Sequence, residues 1–202
     1  TYKNDVQTAN DMTQTQLGWL EDQLGESEAD YKLVLGHYPL YASGTHGRRK
    51  SIVEPLRKML EPVMARHGVD AYLSGHVHHY ERSRPIEGVT HFVSGSAGKV
   101  RHRWYPKKTY PRELYKIQPH FMVFEITDGG LTYQAISSRG KVIDVGEYYF
   151  NGNNVIIDIS GVGQLIGTDE SVPVAARYPS HPIVERFRLL TAYPLTRSMS
   201  AV

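Results

Sequence analysis

Two short stretches of this sequence concentrate histidine: "GHYPLYASGTHG", with His37 and His46 nine positions apart, and "GHVHHYER", with His76, His78 and His79. Imidazole is the side chain whose ordinary pKa lies closest to neutrality, and neutral imidazole is a common metal ligand, so these stretches suit metal binding or proton transfer. Side chains alternate along an extended segment, which points His76 and His78 to one side and His79 to the other. A His-x-His pair can thus offer two ring nitrogens to one metal or to two adjacent ones. Taken alone it is equally a polar surface loop. The chain has no cysteine, so disulfides and thiolate ligands are excluded and a metal site must use His, Asp, Glu, Asn or Tyr.

The elements that must position these residues can be read from periodicity. "LVLG" before His37 is a continuous apolar run ending in glycine, the pattern of a strand covered on both faces. "VDAYLSGH" repeats it before His76. Between them, "SIVEPLRKMLEPVMARHG" reads as a helix with Ile52, Leu56, Leu60, Val63 and Met64 on one face, a Ser51–Glu54 capping box, a kink at Pro62 and Gly68 as C-terminal cap. Strand, helix, strand is a βαβ unit with parallel strands. Parallel strands end at one edge, so His37, His76 and His78 are expected together at the carboxyl ends, where open α/β sheets bind ligands.

An earlier helix is expected over residues 13–25, from the Thr13–Gln16 capping spacing and Leu17, Leu20 and Leu24. After the histidines, "THFVSGS" is a short strand, "HFMVFEITDGGLTYQAIS" a hairpin turning at Asp-Gly-Gly, and "KVIDVGEYY" a further strand. From residue 150 the pattern weakens, with one strand at 155–159 and a short helix near 183–190.

With 202 residues, 40% hydrophobic and 22% charged, the chain has the profile of one globular domain with or without an appendage. No apolar stretch reaches transmembrane length, and a net charge of +2 is too small to imply nucleic acid. "TYKNDVQTAN" has neither an initiator Met nor a signal-peptide pattern, and reads as a cut start.

"GHYP" after a strand, a histidine nine positions on and then "GHVHHYER", with "QLGWLEDQL" before and "HFVSGSAGK" after, resemble the purple acid phosphatases of the calcineurin-like metallophosphoesterases. The resemblance covers about residues 10–149 and includes features of the small tartrate-resistant type, although "HHYER" is more like the larger plant-type members. It implies an α/β (α+β) fold, a β-sandwich flanked by helices. Here its C-terminal half would be present, one βαβ unit followed by antiparallel strands over residues 1–149, with 150–202 as a tail.

The resemblance also implies a dinuclear metal centre, Fe(III) with Fe(II), Zn(II) or Mn(II), that hydrolyses phosphate monoesters. His37 and His76 would be ligands of the divalent metal, His78 a ligand of the ferric ion, and His46 the acid or base near the leaving group. It implies a secreted, periplasmic or lysosomal-type compartment and a small phosphate-ester substrate, with neither nucleic acid nor membrane as partner. The family's remaining ligands come from an Asp, a Gly-Asp-x-x-Tyr and a Gly-Asn-His segment, and no such Gly-Asp or Gly-Asn-His occurs here. Without those anionic ligands two adjacent cations repel. The alternative is a truncated or noncatalytic chain that binds metal or a partner.

The remaining histidines read structurally: His67 as a helix-terminal residue, His91, His102, His120 and His181 as surface or core residues, and His79 as either a residue behind the site or a solvent-facing one. Tyr38 and Tyr41 are expected to pack the pocket wall. "KVRHRWYPKKTYPRELYK", residues 99–116, holds seven Lys or Arg against one Glu. It reads first as a solvated loop, second as a rim that attracts phosphate esters, and third, through Trp104, Tyr105 and Tyr110, as a stacking surface for nucleic acid.

Overall fold

The computed structural model describes residues 14–47, 49–101, 110–127, 130–151, 154–158 and 190–191. Helix α1 (Gln14–Gly25) buries Leu20 and Leu24, as its apolar spacing requires, while Thr13 of the expected capping box lies outside the described residues. Strand β1 (Leu33–Gly36) is followed by a short helix α2 (Gly44–Gly47) and by α3 (Lys50–Arg66), which buries Ile52, Val53, Leu56, Leu60, Val63 and Met64.

Ser51 does not cap α3. The helix has already begun at Lys50, because Ile52 and Val53 both donate their N–H groups to the Arg49 carbonyl, so Arg49 is the N-cap, and no side chain among the described residues caps the helix. The other end agrees with expectation. Gly68 takes a left-handed φ of +62°, its N–H bonds to Ala65 O and that of Val69 to Met64 O, which is a Schellman termination. The helix is continuous across Pro55 and Pro62.

Strand β2 (Ala71–Ser74) runs parallel to β1, with Leu33 opposite Ala71 and Gly36 opposite Ser74. The βαβ unit is therefore present, and its two strands end in register. β3 (Tyr80–Ser83), β4 (Thr90–Ser94) and β5 (Arg112–Lys116) extend the sheet, β4 pairing parallel with β2 and antiparallel with β3. A second, antiparallel sheet runs β6 (His120–Thr127), β7 (Gly130–Ser137), β8 (Val142–Asn151) and β9 (Asn154–Asp158) in sequence order. The expected hairpin closes with Thr127 opposite Gly130.

β8 runs past residue 149, so the expected division there falls inside a strand, and β9 supplies the strand anticipated at 155–159. Residues 183–189 of the expected late helix lie outside the described residues. Leu190 itself stands in a two-residue strand, β10 (Leu190–Thr191), where the backbone pairs parallel with β1 instead of closing helical bonds. The first sheet thus has the order β10-β1-β2-β4-β3-β5.

Alternation along the strands builds the layers. Val34 and Tyr72 join Leu20, Leu24, Leu56, Leu60 and Met64 on the helix side. Their neighbours Leu33 and Ala71 join Phe92, Leu131, Tyr133 and Tyr148 between the sheets. The result is a mixed α+β architecture of two packed sheets with helices on one side. A polar clamp crosses the inter-sheet core: Asp144 of β8 accepts from the Tyr80 hydroxyl at 2.6 Å and from Arg82 Nε at 2.7 Å.

Candidate functional site

The in-register ends of β1 and β2 deliver the histidines. Gly75 N–H bonds to His37 O at 3.2 Å, and His37 Nε2 lies 3.1 Å from His76 Nδ1. His76 achieves this by adopting a left-handed backbone with φ of +58°, an unfavourable state for a residue with a Cβ. Tyr38 packs against both rings, 5.2 Å from His37 and 4.4 Å from His76 between centroids.

His78 faces the same space. An open pocket of about 430 Å³ is lined by His37, His76, His78 and Arg101, with Gly75, Ser94, Gly95, Ala97 and Gly98 completing the wall. The β2–β3 loop and the segment after β4 press together closely enough that a Cβ on Gly95 would overlap the Val77 carbonyl. His78 Nδ1 is buried and makes no hydrogen bond among the described residues. Burial, and after it the charges of Arg101 and Lys99, lower the His78 pKa from its ordinary value.

The chemistry of this donor set can be tested against a metal centre. Two imidazole nitrogens 3.1 Å apart can share one ion at the usual distance of about 2.0–2.1 Å from each. Among the described residues, however, no group of three His, Cys, Asp or Glu side chains is placed to hold an ion, and no carboxylate lines the pocket. His37 and His76 therefore fit as part of a ligand set. A dinuclear centre does not fit the described residues by themselves, since no anion among them bridges and neutralises two cations. The backbone of His46 stands in α2, nine residues beyond His37; its side chain lies outside the described residues.

Immediately behind the histidines lies a buried polar cluster that sequence reasoning missed. Glu81, fully buried in β3, accepts the Ser43 N–H on both carboxylate oxygens at 3.1 and 2.9 Å. His79 Nε2 is 3.0 Å from Glu81, which decides between its two expected positions: it is buried and not solvent-facing. The Tyr110 hydroxyl donates to the same carboxylate, and Arg112 Nη1 donates to Ser43 Oγ at 2.6 Å while standing 3.8 Å from Glu81. Burial pushes the Glu81 pKa up, but the hydrogen bonds from His79, Ser43 and Tyr110 outweigh it, and the carboxyl ends below its ordinary value.

The basic stretch 99–116 is accordingly not uniform. Arg112 and Tyr110 belong to the interior cluster, Arg101 belongs to the pocket, and residues 102–109, with Trp104 and Tyr105, lie outside the described residues. The only sequence signal for Arg101 was its place near the start of that stretch, and for Glu81 its place after the histidines in "HHYER".

Tyr41 also departs from expectation. It turns to α3, where its hydroxyl donates to Glu61, Arg57 lies over its ring at 4.0 Å and His91 packs against it at 4.8 Å. His91 and His120 are buried core residues, the latter within 2.9 Å of Ser94 Oγ and 2.8 Å of Ser96 Oγ. His67 is the C-cap of α3. His102 and His181 lie outside the described residues.

Comparison with known proteins places this arrangement. The profile of the family described as Calcineurin-like phosphoesterase matches residues 2–80. The chain is 35% identical over 132 residues to rat tartrate-resistant acid phosphatase type 5, covering 63% of this chain and 37% of the relative. It thus spans well under half the length of the curated relatives it matches. Among solved structures, a purple acid phosphatase from yellow lupin seeds superposes with a TM-score of 0.57 at 23% identity, over 63% of this chain and 27% of that one. A Plasmodium protein described as the anchor in the inner membrane complex superposes with a TM-score of 0.58 at 24% identity, over 67% and 42%. These two likenesses concern the fold. With the histidine motifs at the ends of its parallel strands, the chain is similar to the calcineurin-like phosphoesterases over residues 2–80 and to the tartrate-resistant acid phosphatases over about 65% of its length.

Proposed function

We propose that this chain contributes the histidine-rich side of a dinuclear metal centre that hydrolyses phosphate monoesters, in a protein that also carries the family's Asp, Gly-Asp-x-x-Tyr and Gly-Asn-His ligands. The observation that carries the reading is the 3.1 Å approach of His37 Nε2 to His76 Nδ1, with His78 on the same pocket. When bound, such a centre supplies Lewis-acid polarisation of the phosphoryl oxygens and activates the attacking nucleophile. Iron(III) with divalent iron, zinc or manganese is the pairing that the family resemblance supports.

The chain's own residues orient and protonate. Tyr38 packs edge-on against His37 and holds it towards His76. His46, on the short helix beyond β1, is the proposed proton donor to the departing alkoxide, a role that typically contributes about a hundredfold to ten-thousandfold. The substrate is a small phosphate ester and not a nucleic acid, and the compartment a secreted, periplasmic or lysosomal-type one. Among the described residues no helix is long and apolar enough to cross a membrane.

A second reading is a noncatalytic one. It is favoured by the lack, among the described residues, of a third donor placed to share an ion with the His37–His76 pair. The fold is no argument against it, since fold alone does not carry activity.

An aryl phosphate assay with added iron and zinc separates the two. The 202-residue chain is expected to turn over little and to show no purple colour, whereas a protein joining it to the missing ligand segments is expected to be active. In that protein His46→Ala should slow alkyl esters more than nitrophenyl esters at unchanged metal content. Inactivity of the joined protein at full metal loading supports the noncatalytic reading, and equal losses on both esters remove His46 from the catalytic role.

A further inference from the structure

Four Lys or Arg residues of the basic stretch 99–116 are described: Lys99, Arg101, Arg112 and Lys116. Arg112 is held inside by Ser43 and Glu81, Lys116 stands in β5, and Lys99 is exposed outside the pocket wall. Arg101 lines the pocket. Its backbone N–H bonds to His78 O at 3.1 Å, which fixes the start of its side chain beside the His-x-His loop. The described lining contains three imidazoles, one guanidinium and no carboxylate. The guanidinium is the fixed charge among these lining residues, and it attracts an anion.

We infer that Arg101 is an anion-anchoring residue of this pocket, engaging the oxygens of a phosphate group whether or not a metal is bound. A guanidinium is always charged and presents paired donors that match phosphate oxygens, so it can take one face of the anion while the histidine face stays open. The inference rests on the phosphate-ester reading for the identity of the anion but needs no metal centre. It also implies coupling: phosphate offsets the guanidinium charge that opposes a cation at His37 and His76, so each ligand raises the other's affinity by the same factor.

The test is titration of the 202-residue chain with inorganic phosphate in chelator, followed by calorimetry and phosphorus NMR at low and high salt. The wild-type chain is expected to bind phosphate, more weakly at high salt, and Arg101→Gln to bind about ten- to a hundredfold more weakly. Arg101→Lys should recover part of the affinity. Arg84→Gln, which removes an exposed arginine paired with Glu113, should bind as wild type does. Absence of phosphate binding by the wild-type chain, or equal binding by Arg101→Gln, overturns the inference. Arg101-dependent phosphate binding in chelator beside an inactive metal-loaded joined protein supports it while the phosphatase reading fails.

Discussion

The Glu81 carboxylate grips the backbone N–H of Ser43 across 38 residues of sequence, through contacts of 2.9 and 3.1 Å. Ser43 immediately precedes the helix that carries His46, and Glu81 follows His78 by three residues, so this buried contact sets the two histidine loops against each other. Its interior position makes it costly to disturb.

Glu81→Ala is expected to lower stability by about 3–5 kcal/mol, because the buried Arg112 then loses its counter-charge 3.8 Å away, His79 loses its partner and the Ser43 N–H loses its acceptor. Glu81→Gln keeps an acceptor of the same size and should lose less. Urea unfolding at neutral pH reads both, and a cost below about 1 kcal/mol for the alanine variant would show that the contact does not hold the loops.

His76 offers an inverted glycine test. At ordinary positions Ala is more stabilising than Gly, but at a φ of +58° the Cβ is penalised, so His76→Gly should be more stable than His76→Ala by about 1 kcal/mol. Both variants should bind zinc more weakly than the wild-type chain. Thermal melts with a zinc titration check this, and the usual order of Ala above Gly would mean that the backbone there is not left-handed in solution.

Two of the pocket-wall glycines, Gly75 and Gly95, should behave differently although both stand just past strand ends. Gly95→Ala forces a Cβ into the Val77 carbonyl and should destabilise the chain and perturb the His78 ring resonances. Gly75→Ala meets nothing within 4 Å among the described residues and should be close to neutral. Melting temperatures and histidine NMR spectra of the pair decide it.

Acid should destabilise the fold through His91. Burial first, then the Arg57 charge, push its pKa down to about 3, while in the unfolded chain it titrates near 6.5. Between these values the unfolded state binds more protons, so stability falls as pH is lowered, by about 1.4 kcal/mol per pH unit for a single such group. His78 and His120, also lowered by burial, act in the same direction. Asp70 opposes them: burial raises its pKa to about 6, so the folded state takes up its proton first and gains stability as pH falls from about 6 to 3.8. His91→Phe keeps a ring against Tyr41 and Tyr72 and should flatten the acid limb. Urea midpoints at pH 7, 5 and 4 measure this, and an unchanged slope would clear His91 of the effect.

The sequence by itself determined the elements and the edge where they end. Period-2 and period-3.6 patterns are local, and they gave β1, α3 and β2; parallel pairing across one helical crossover then brought His37, His76 and His78 to one pocket. What it could not decide was the long-range choice of partner. Ser51 and Glu54 have the spacing of a cap, yet the chain turns two residues earlier, at Arg49. Gly36 and Gly75 look equivalent in the strand-Gly-His echo, but a Cβ at Gly36 would strike the Tyr72 ring, whose hydroxyl donates to Tyr38 O, whereas Gly75 faces open space. Arg112 reads as one charge in a solvated run, and its hydroxyl acceptor, Ser43, lies 69 residues away. Such contacts follow from which surfaces the packed sheets and loops exclude from water. A buried charge must find its partner there, whatever the local spacing suggests.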